Sequence, residues 1–267
     1  MRVLSTTSLS RTFDQIILRA CAANPPRPYL GCPAIIAIDG LPSTGKSTLA
    51  RELAAYINNA SSAAYLPMKA VVLKTDDFLR VGQKTLSAEE LTALSPEKYL
   101  SVKFWYDMEK LERTLLSLRA LYLGGEVTVK GLYNRGQFDG EKTYTFSGGA
   151  INFIILEGVY SLHPLLCTEL FSGGIFLWRP ETIRQGQFQY KAQTRSYDPV
   201  TSPLFHARIT ACYLHYLETA IDYFAFPWQL AIYQDDQLEL LHRFPEEPAS
   251  QITQVRADLS QAGWVNV

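Results

Sequence analysis

The sequence predicts one α/β domain, a mainly parallel sheet with helices on both faces and an added β-hairpin. Three observations point to it. Continuous apolar runs, Ala34 to Ile38 and Ile151 to Leu156, have the character of strands covered on both faces. Segments with helical spacing lie between them, such as Leu49, Leu53 and Ile57 at i, i+4 and i+8. A glycine loop, Gly40 to Ser47, joins the first run directly to the first helix. With 267 residues, 47% of them hydrophobic, the chain can fill one sizeable domain or at most two small ones. The expected division is an N-terminal helical arm over 1–30, a core domain over 31–245 and a C-terminal tail over 246–267.

The glycine loop fits G-x-x-x-x-G-K-[ST] through Gly40, Gly45, Lys46 and Ser47, the pattern of a P-loop for nucleotide phosphates. Glycines let successive N–H groups approach phosphate oxygens with no Cβ in the way. The following helix aims its positive end at the anion. Gly40, Leu41, Pro42, Ser43, Thr44, Gly45, Lys46, Ser47 and Thr48 are therefore the expected ATP cradle. Lys46 serves the β- and γ-phosphates, and the Ser47 hydroxyl holds Mg²⁺. From average residue usage, a chance match somewhere in a chain of this length is about a one-percent event. The strand before the loop and the helix after it remove most of that chance.

Before the loop, residues 11–23 carry Phe13, Ile16, Ile17 and Ala20 at helical spacing, and NPPRPYLGCP breaks that helix. A formal net charge of -1 argues against a general nucleic-acid binder. No apolar run is long enough to span a bilayer, and the N-terminus lacks a signal-peptide core. A few positive and hydroxyl residues there leave an organellar transit peptide open. Cys21, Cys32, Cys167 and Cys212 are scattered, the pattern of free intracellular thiols. A cytoplasmic location is expected, with no nucleic-acid or membrane partner; self-association is left open.

After the P-loop helix, Ala70 to Leu73 forms a second apolar strand that runs into Lys74-Thr75-Asp76-Asp77-Phe78-Leu79. Ligands in open α/β sheets bind at the carboxyl ends of strands. One of the two adjacent acids, Asp76 or Asp77, is thus placed to take a proton from a substrate hydroxyl; the alternative is a pair of capping acids. Residues 84–100 read as irregular, with a short helix around Ser87 to Ala93. Asp107 is placed to cap a helix carrying Leu111, Leu115 and Leu118 and stopping at Gly124-Gly125. Glu126 to Lys130 and Thr143 to Phe146 alternate as a hairpin around the loop Leu132-Tyr133-Asn134-Arg135-Gly136.

The strand from Ile151 ends in Glu157-Gly158, an acid placed to hold a magnesium shell or to cap a helix. His163, before Pro164, reads as a loop or helix-start residue. Ile175 to Trp178 is a further strand. Arg179 to Arg195 is the most basic segment, and helical spacing brings Arg184, Lys191 and Arg195 near one face. Such cations can act as a lid over a phosphate site or simply face solvent. Phe205 to Phe224 reads as an apolar helix, and Leu230 to Tyr233 and Leu238 to Phe244 as closing strands.

Taken together, these segments resemble the uridine kinase, pantothenate kinase and phosphoribulokinase group of P-loop small-molecule kinases over about Ile35 to Phe244. Thr75-Asp76-Asp77-Phe78-Leu79 is similar to the stretch that carries the group's catalytic aspartate, which puts that role on Asp76, or failing that Asp77. Ile155-Leu156-Glu157-Gly158 resembles the stretch with its magnesium-associated glutamate. Tyr133-Asn134-Arg135 falls where uridine kinases contact the acceptor, and Arg184, Lys191 and Arg195 fall in the basic lid. The resemblance implies a P-loop NTPase fold over 31–245, ATP and Mg²⁺ as cofactors, and a small-molecule hydroxyl as acceptor. It makes Asp76, Lys46, Glu157 and Arg184 catalytic, and Asp76, Asp77, Tyr133 and Arg135 acceptor contacts. Two features of the nucleoside kinases are missing: their additional Asp falls near Ser101, and NRGQFDGEK has no His. The rival readings are a nucleotide-dependent regulatory ATPase and an inactive nucleotide-binding module.

Overall fold

A computed structural model describes residues 6–23, 33–60, 68–80, 86–87, 89–90, 93–121, 124–134, 141–149, 151–166, 168–180, 183–184, 186–187, 190, 212, 215–216, 228–232 and 238–241. Helix α1 (Thr6–Ala23) precedes strand β1 (Ala34–Asp39), helix α2 (Lys46–Ala60) and strand β2 (Ala70–Lys74). A 3₁₀ turn over Thr75–Phe78 leads to two short helices, α3 (Pro96–Leu100) and α4 (Val102–Trp105), and to α5 (Met108–Arg119). The hairpin strands are β3 (Glu126–Tyr133) and β4 (Glu141–Ser147). Strands β5 (Phe153–Glu157), β6 (Gly173–Trp178), β7 (Trp228–Ile232) and β8 (Leu238–Leu241) complete the sheet.

The main sheet runs in the order β2-β5-β1-β6-β7-β8. Its first five strands are parallel and β8 turns back antiparallel to β7. Both faces of β1 are covered, as its unbroken apolar run requires. Ile36 and Ile38 meet Phe13 and Ile16 of α1 and Leu49, Leu53 and Ile57 of α2. Ile35 and Ala37 share the opposite core with Leu111, Leu115 and Leu118 of α5. The N-terminal arm thus packs on the sheet, with the Tyr56 hydroxyl donating to Asp14 at 2.6 Å.

Several boundaries differ from the sequence reading. Helix α5 stops at Arg119, capped by Ala120, rather than at the glycine pair. β3 runs on to Tyr133, so Leu132 and Tyr133 lie on a strand and not in a loop. The cause is a bulge between Val129 and Leu132, where Gly131 takes φ 62° and resets the alternation. The segment before α5 is less irregular than its composition suggests. Ser95 and Ser101 cap α3 and α4 through their side chains. Residues around 87–90 form a capping box, Ser87 with Glu90. Of the expected 205–224 helix, only Cys212, His215 and Tyr216 are described, all helical. Arg135, Lys191, Arg195, Cys32 and Cys167 lie outside the described residues; Cys21 and Cys212 are free thiols.

Candidate active site

Strand register builds the site. Glu157 at the end of β5 is level with Ile38 of β1 on one side and Lys74 of β2 on the other. One residue beyond Ile38 comes Asp39 and then the P-loop. Two residues beyond Lys74 comes Asp76. Three adjacent parallel strands therefore deliver the phosphate loop, Glu157 and the acidic pair to one edge of the sheet.

The loop is braced from within. The Thr44 hydroxyl donates to Leu41 O at 2.9 Å, and Lys46 Nζ donates to Gly40 O and Leu41 O, each at 2.8 Å. Ser43 holds a positive φ of 67°. Gly40 passes so close to β6 that a Cβ would overlap the carbonyl oxygen of Leu177. Ser47 is exposed and Thr48 half-buried at the start of α2. Arg184, only 1% exposed, donates from a guanidinium nitrogen to Pro42 O at 3.3 Å. This buried cation thus touches the loop.

Glu157 is buried, and burial pushes its carboxyl above the usual carboxylate range; the Lys46 charge pulls it back and the Asp76 charge adds to the rise. The Ser47 hydroxyl beside it also lowers it. One buried carboxylate beside one hydroxyl, facing the phosphate loop, fits Mg²⁺, which keeps most of its waters and takes few protein ligands. Among the described residues no group of three or more His, Cys, Asp or Glu could hold a metal. A protein-caged metal centre is therefore not what these residues build.

The two adjacent acids have different surroundings. Asp76 is half-buried, and the Tyr106 hydroxyl donates to its Oδ1 at 3.5 Å. Asp77 is buried and ion-paired with Lys142 of β4. Burial raises the Asp77 carboxyl, while Lys142 and the Tyr144 hydroxyl pull it down. Beside them, Thr75 packs against Gly158, which holds φ 141°; a Cβ on Gly158 would overlap Thr75 Oγ1. Tyr133 is buried at the end of β3 and Asn134 half-buried after it.

Three residues singled out in the sequence have clear structural tasks. Asp107 caps α5, accepting from Lys110 N at 3.1 Å. Ser101 caps α4, accepting from Phe104 N at 3.3 Å. His163 accepts from Leu165 N through Nδ1 at 3.0 Å and stacks on Tyr216. Burial, then the Lys103 charge, lowers its pKa to about 4, so the ring is neutral near neutral pH.

Sequence reasoning missed Asp39. It is fully buried, with Oδ1 accepting from Gly40 N at 2.7 Å. Its Oδ2 accepts from Leu162 N at 2.9 Å and from the Tyr216 hydroxyl at 3.2 Å. It fastens the first amide of the P-loop to the β5 loop and to the helix that carries Tyr216. Lys142 was missed as well. The signal was present in Lys142, Tyr144 and Phe146, which share one face of β4 against the exposed Glu141, Thr143 and Thr145.

No protein-family profile and no curated protein matches this sequence. Solved structures do. A structure from Silicibacter sp. TM1040, assigned provisionally as a fructose transport system kinase, is 21% identical with a TM-score of 0.50, over 82% of this chain and 94% of that one. The YGR205w protein is 14% identical with a TM-score of 0.51, over 88% of this chain and 97% of its own. Phosphoribulokinase from Rhodobacter spheroides is 16% identical with a TM-score of 0.49, over 76% and 71%. At such identities the likeness is one of fold, and it makes this chain an α/β protein of the P-loop fold.

Proposed function

We propose that the protein transfers the γ-phosphoryl group of ATP to a hydroxyl of a small molecule. The observation that carries this reading is the register of β2, β5 and β1, which gathers Asp76, Glu157 and the P-loop at one sheet edge. A regulatory ATPase has use for the loop and for Glu157 but none for a second carboxylate at the same sheet edge.

In the proposed reaction the acceptor oxygen attacks the γ-phosphorus. An O–P bond forms, the bond from the γ-phosphorus to the bridging oxygen of ADP breaks, and the hydroxyl proton passes to Asp76. Tyr106, donating to Asp76, orients the carboxylate. Lys46 exchanges its two loop carbonyls for β- and γ-phosphate oxygens, and Arg184, already on Pro42 O, meets the charge of the transferred group. Ser47 and Glu157 would hold Mg²⁺, which supplies charge neutralisation between the β- and γ-phosphates when bound. Tyr133 contributes to the acceptor wall, and Arg135, in the stretch beyond it, favours an anionic acceptor such as a carboxylate or a sugar phosphate. Lys191 and Arg195 are proposed to extend the lid.

The pocket lacks the nucleoside kinases' additional Asp, and Ser101 in its place is occupied as a helix cap. A buried polar pocket cannot favour a ligand whose partners it lacks. Uridine and cytidine are therefore expected to be poor acceptors. The test is ADP release with nucleosides, pantothenate, glycerate and sugar phosphates in turn. Efficient phosphorylation of uridine that is unaffected by Arg135→Ala would overturn the acceptor reading. ATP hydrolysis that no acceptor accelerates would favour the regulatory ATPase.

A further inference from the structure

The hairpin forms a two-stranded sheet of its own, separate from the main sheet. A lone two-stranded hairpin is marginal in water, so its placement depends on what it is fastened to. Two lysines fasten it, one at the bulge and one just past it. Lys110 of α5 donates from Nζ to Gly131 O of β3 at 2.6 Å. Lys142 of β4, directly opposite Leu132 in the ladder, pairs with Asp77. The Lys142 side chain keeps 25% exposure while that of Asp77 keeps 6%. The Lys142 ammonium also lies 4.9 Å from the centre of the Tyr144 ring.

Asp77 shares a single 3₁₀ turn with Asp76. Whatever fixes Asp77 fixes the backbone that carries its neighbour. Tyr133 is the residue after Leu132, the ladder partner of Lys142, so the same pair fixes the acceptor end of β3. We infer that Asp77 and Lys142 form a clasp that sets the hairpin wall against Asp76, making both of them positioning residues for the acceptor rather than proton acceptors or phosphate ligands. The inference rests on the kinase reading for its functional part. The clasp itself can be tested without an acceptor.

The test compares the full chain with Asp77→Asn, Lys142→Met and the double variant. Hydrogen exchange of the Glu126–Tyr133 amides reports the clasp, MgADP affinity reports the nucleotide site, and KM and kcat are taken with the best acceptor of the panel. Each single variant is expected to speed hairpin exchange and raise acceptor KM by about tenfold, the scale of one buried charge-assisted hydrogen bond. MgADP affinity should stay within about threefold of the parent, and so should kcat of Lys142→Met, on the same scale of precision. The double variant should lie closer to the parent than Lys142→Met does, because it leaves no buried carboxylate without its cation.

Unchanged exchange and KM in both single variants would overturn the clasp. So would a loss of about 10²-fold in kcat for Asp77→Asn with Lys142→Met normal, since that is how a general base behaves. If Asp77→Asn does not fold, Lys142→Met and its exchange rates decide alone. If the parent phosphorylates nothing in the panel, the kinase reading fails and the exchange comparison still decides the clasp.

Discussion

Lys46 is bound to two loop carbonyls in the nucleotide-free protein, so it has a structural task as well as a chemical one. Lys46→Ala should abolish or severely cut ATP-dependent phosphorylation while the nucleotide-free protein still melts cooperatively within a few degrees of the parent; near-normal turnover would remove the phosphate-loop reading. Asp76→Asn should keep MgATP affinity and lose about 10²-fold or more in rate, the usual scale for a general base. Glu157→Gln should instead shift the magnesium dependence of turnover. A titration of rate against Mg²⁺ for the two variants separates these roles. His163 supplies a stability test. Its pKa falls from 6.5 to about 4 on folding, so the folded state prefers the neutral ring. That preference is fully present above 6.5 and is lost as pH falls toward about 4. The parent should therefore lose melting temperature on acidification across that window more steeply than His163→Gln. Parallel curves would show that the imidazole does not couple to folding. At this scale the shared sheet edge of the glycine loop, Asp76 and Glu157 was legible because each sits at a strand end or in a fixed motif. Asp39 was not, because its partner Tyr216 is distant in sequence and a lone Asp carries no sign of a far contact; for Lys142 the alternation of β4 showed the inward face but not the partner Asp77.

Elements were legible where periodicity was long and unbroken. β1 and β5 read directly as buried runs, and Asp107 announced α5 by its position before Leu111 and Leu115. The hairpin was half-read. Gly131 breaks the alternation of β3, so the strand seemed to end at Lys130 when the bulge carries it on to Tyr133. Helices α3 and α4 are too short for a 3.6-residue period to show; their only sequence signals are Ser95 before Pro96, and Ser101. The cap on α5 gives a clean prediction at this scale. Asp107→Ala should lower stability by about 1 kcal/mol, the common value for an N-cap, and leave acceptor KM unchanged. A raised KM with unchanged stability would give Asp107 a substrate role instead of a cap.

Across the whole molecule, the sheet separates two cores, and the N-terminal arm belongs to one of them. Phe13, Ile16 and Ala20 are buried with Ile36, Ile38 and Leu53, so α1 is part of the folded body rather than an appendage to the kinase fold. Phe13→Ala should destabilise the protein by about 3–5 kcal/mol, the range for a buried aromatic, measured by denaturant unfolding. A change below about 1 kcal/mol would mean that the arm is only loosely docked. The sequence could show the amphipathic face of this helix but not which surface receives it. Among the described residues no helix is long and apolar enough to cross a membrane. The contact of Thr75 with Gly158 has a consequence at this largest scale. The turn after β2, which carries Asp76, and the end of β5, which carries Glu157, meet through a threonine on one side and no side chain on the other. The width of the reaction site is thus gauged by a hydrogen atom, the smallest spacer a protein can place. Every larger residue at 158 would push Thr75, and with it the turn that carries Asp76, away from the end of β5, so this spacing can be held or lost but cannot be adjusted by degrees.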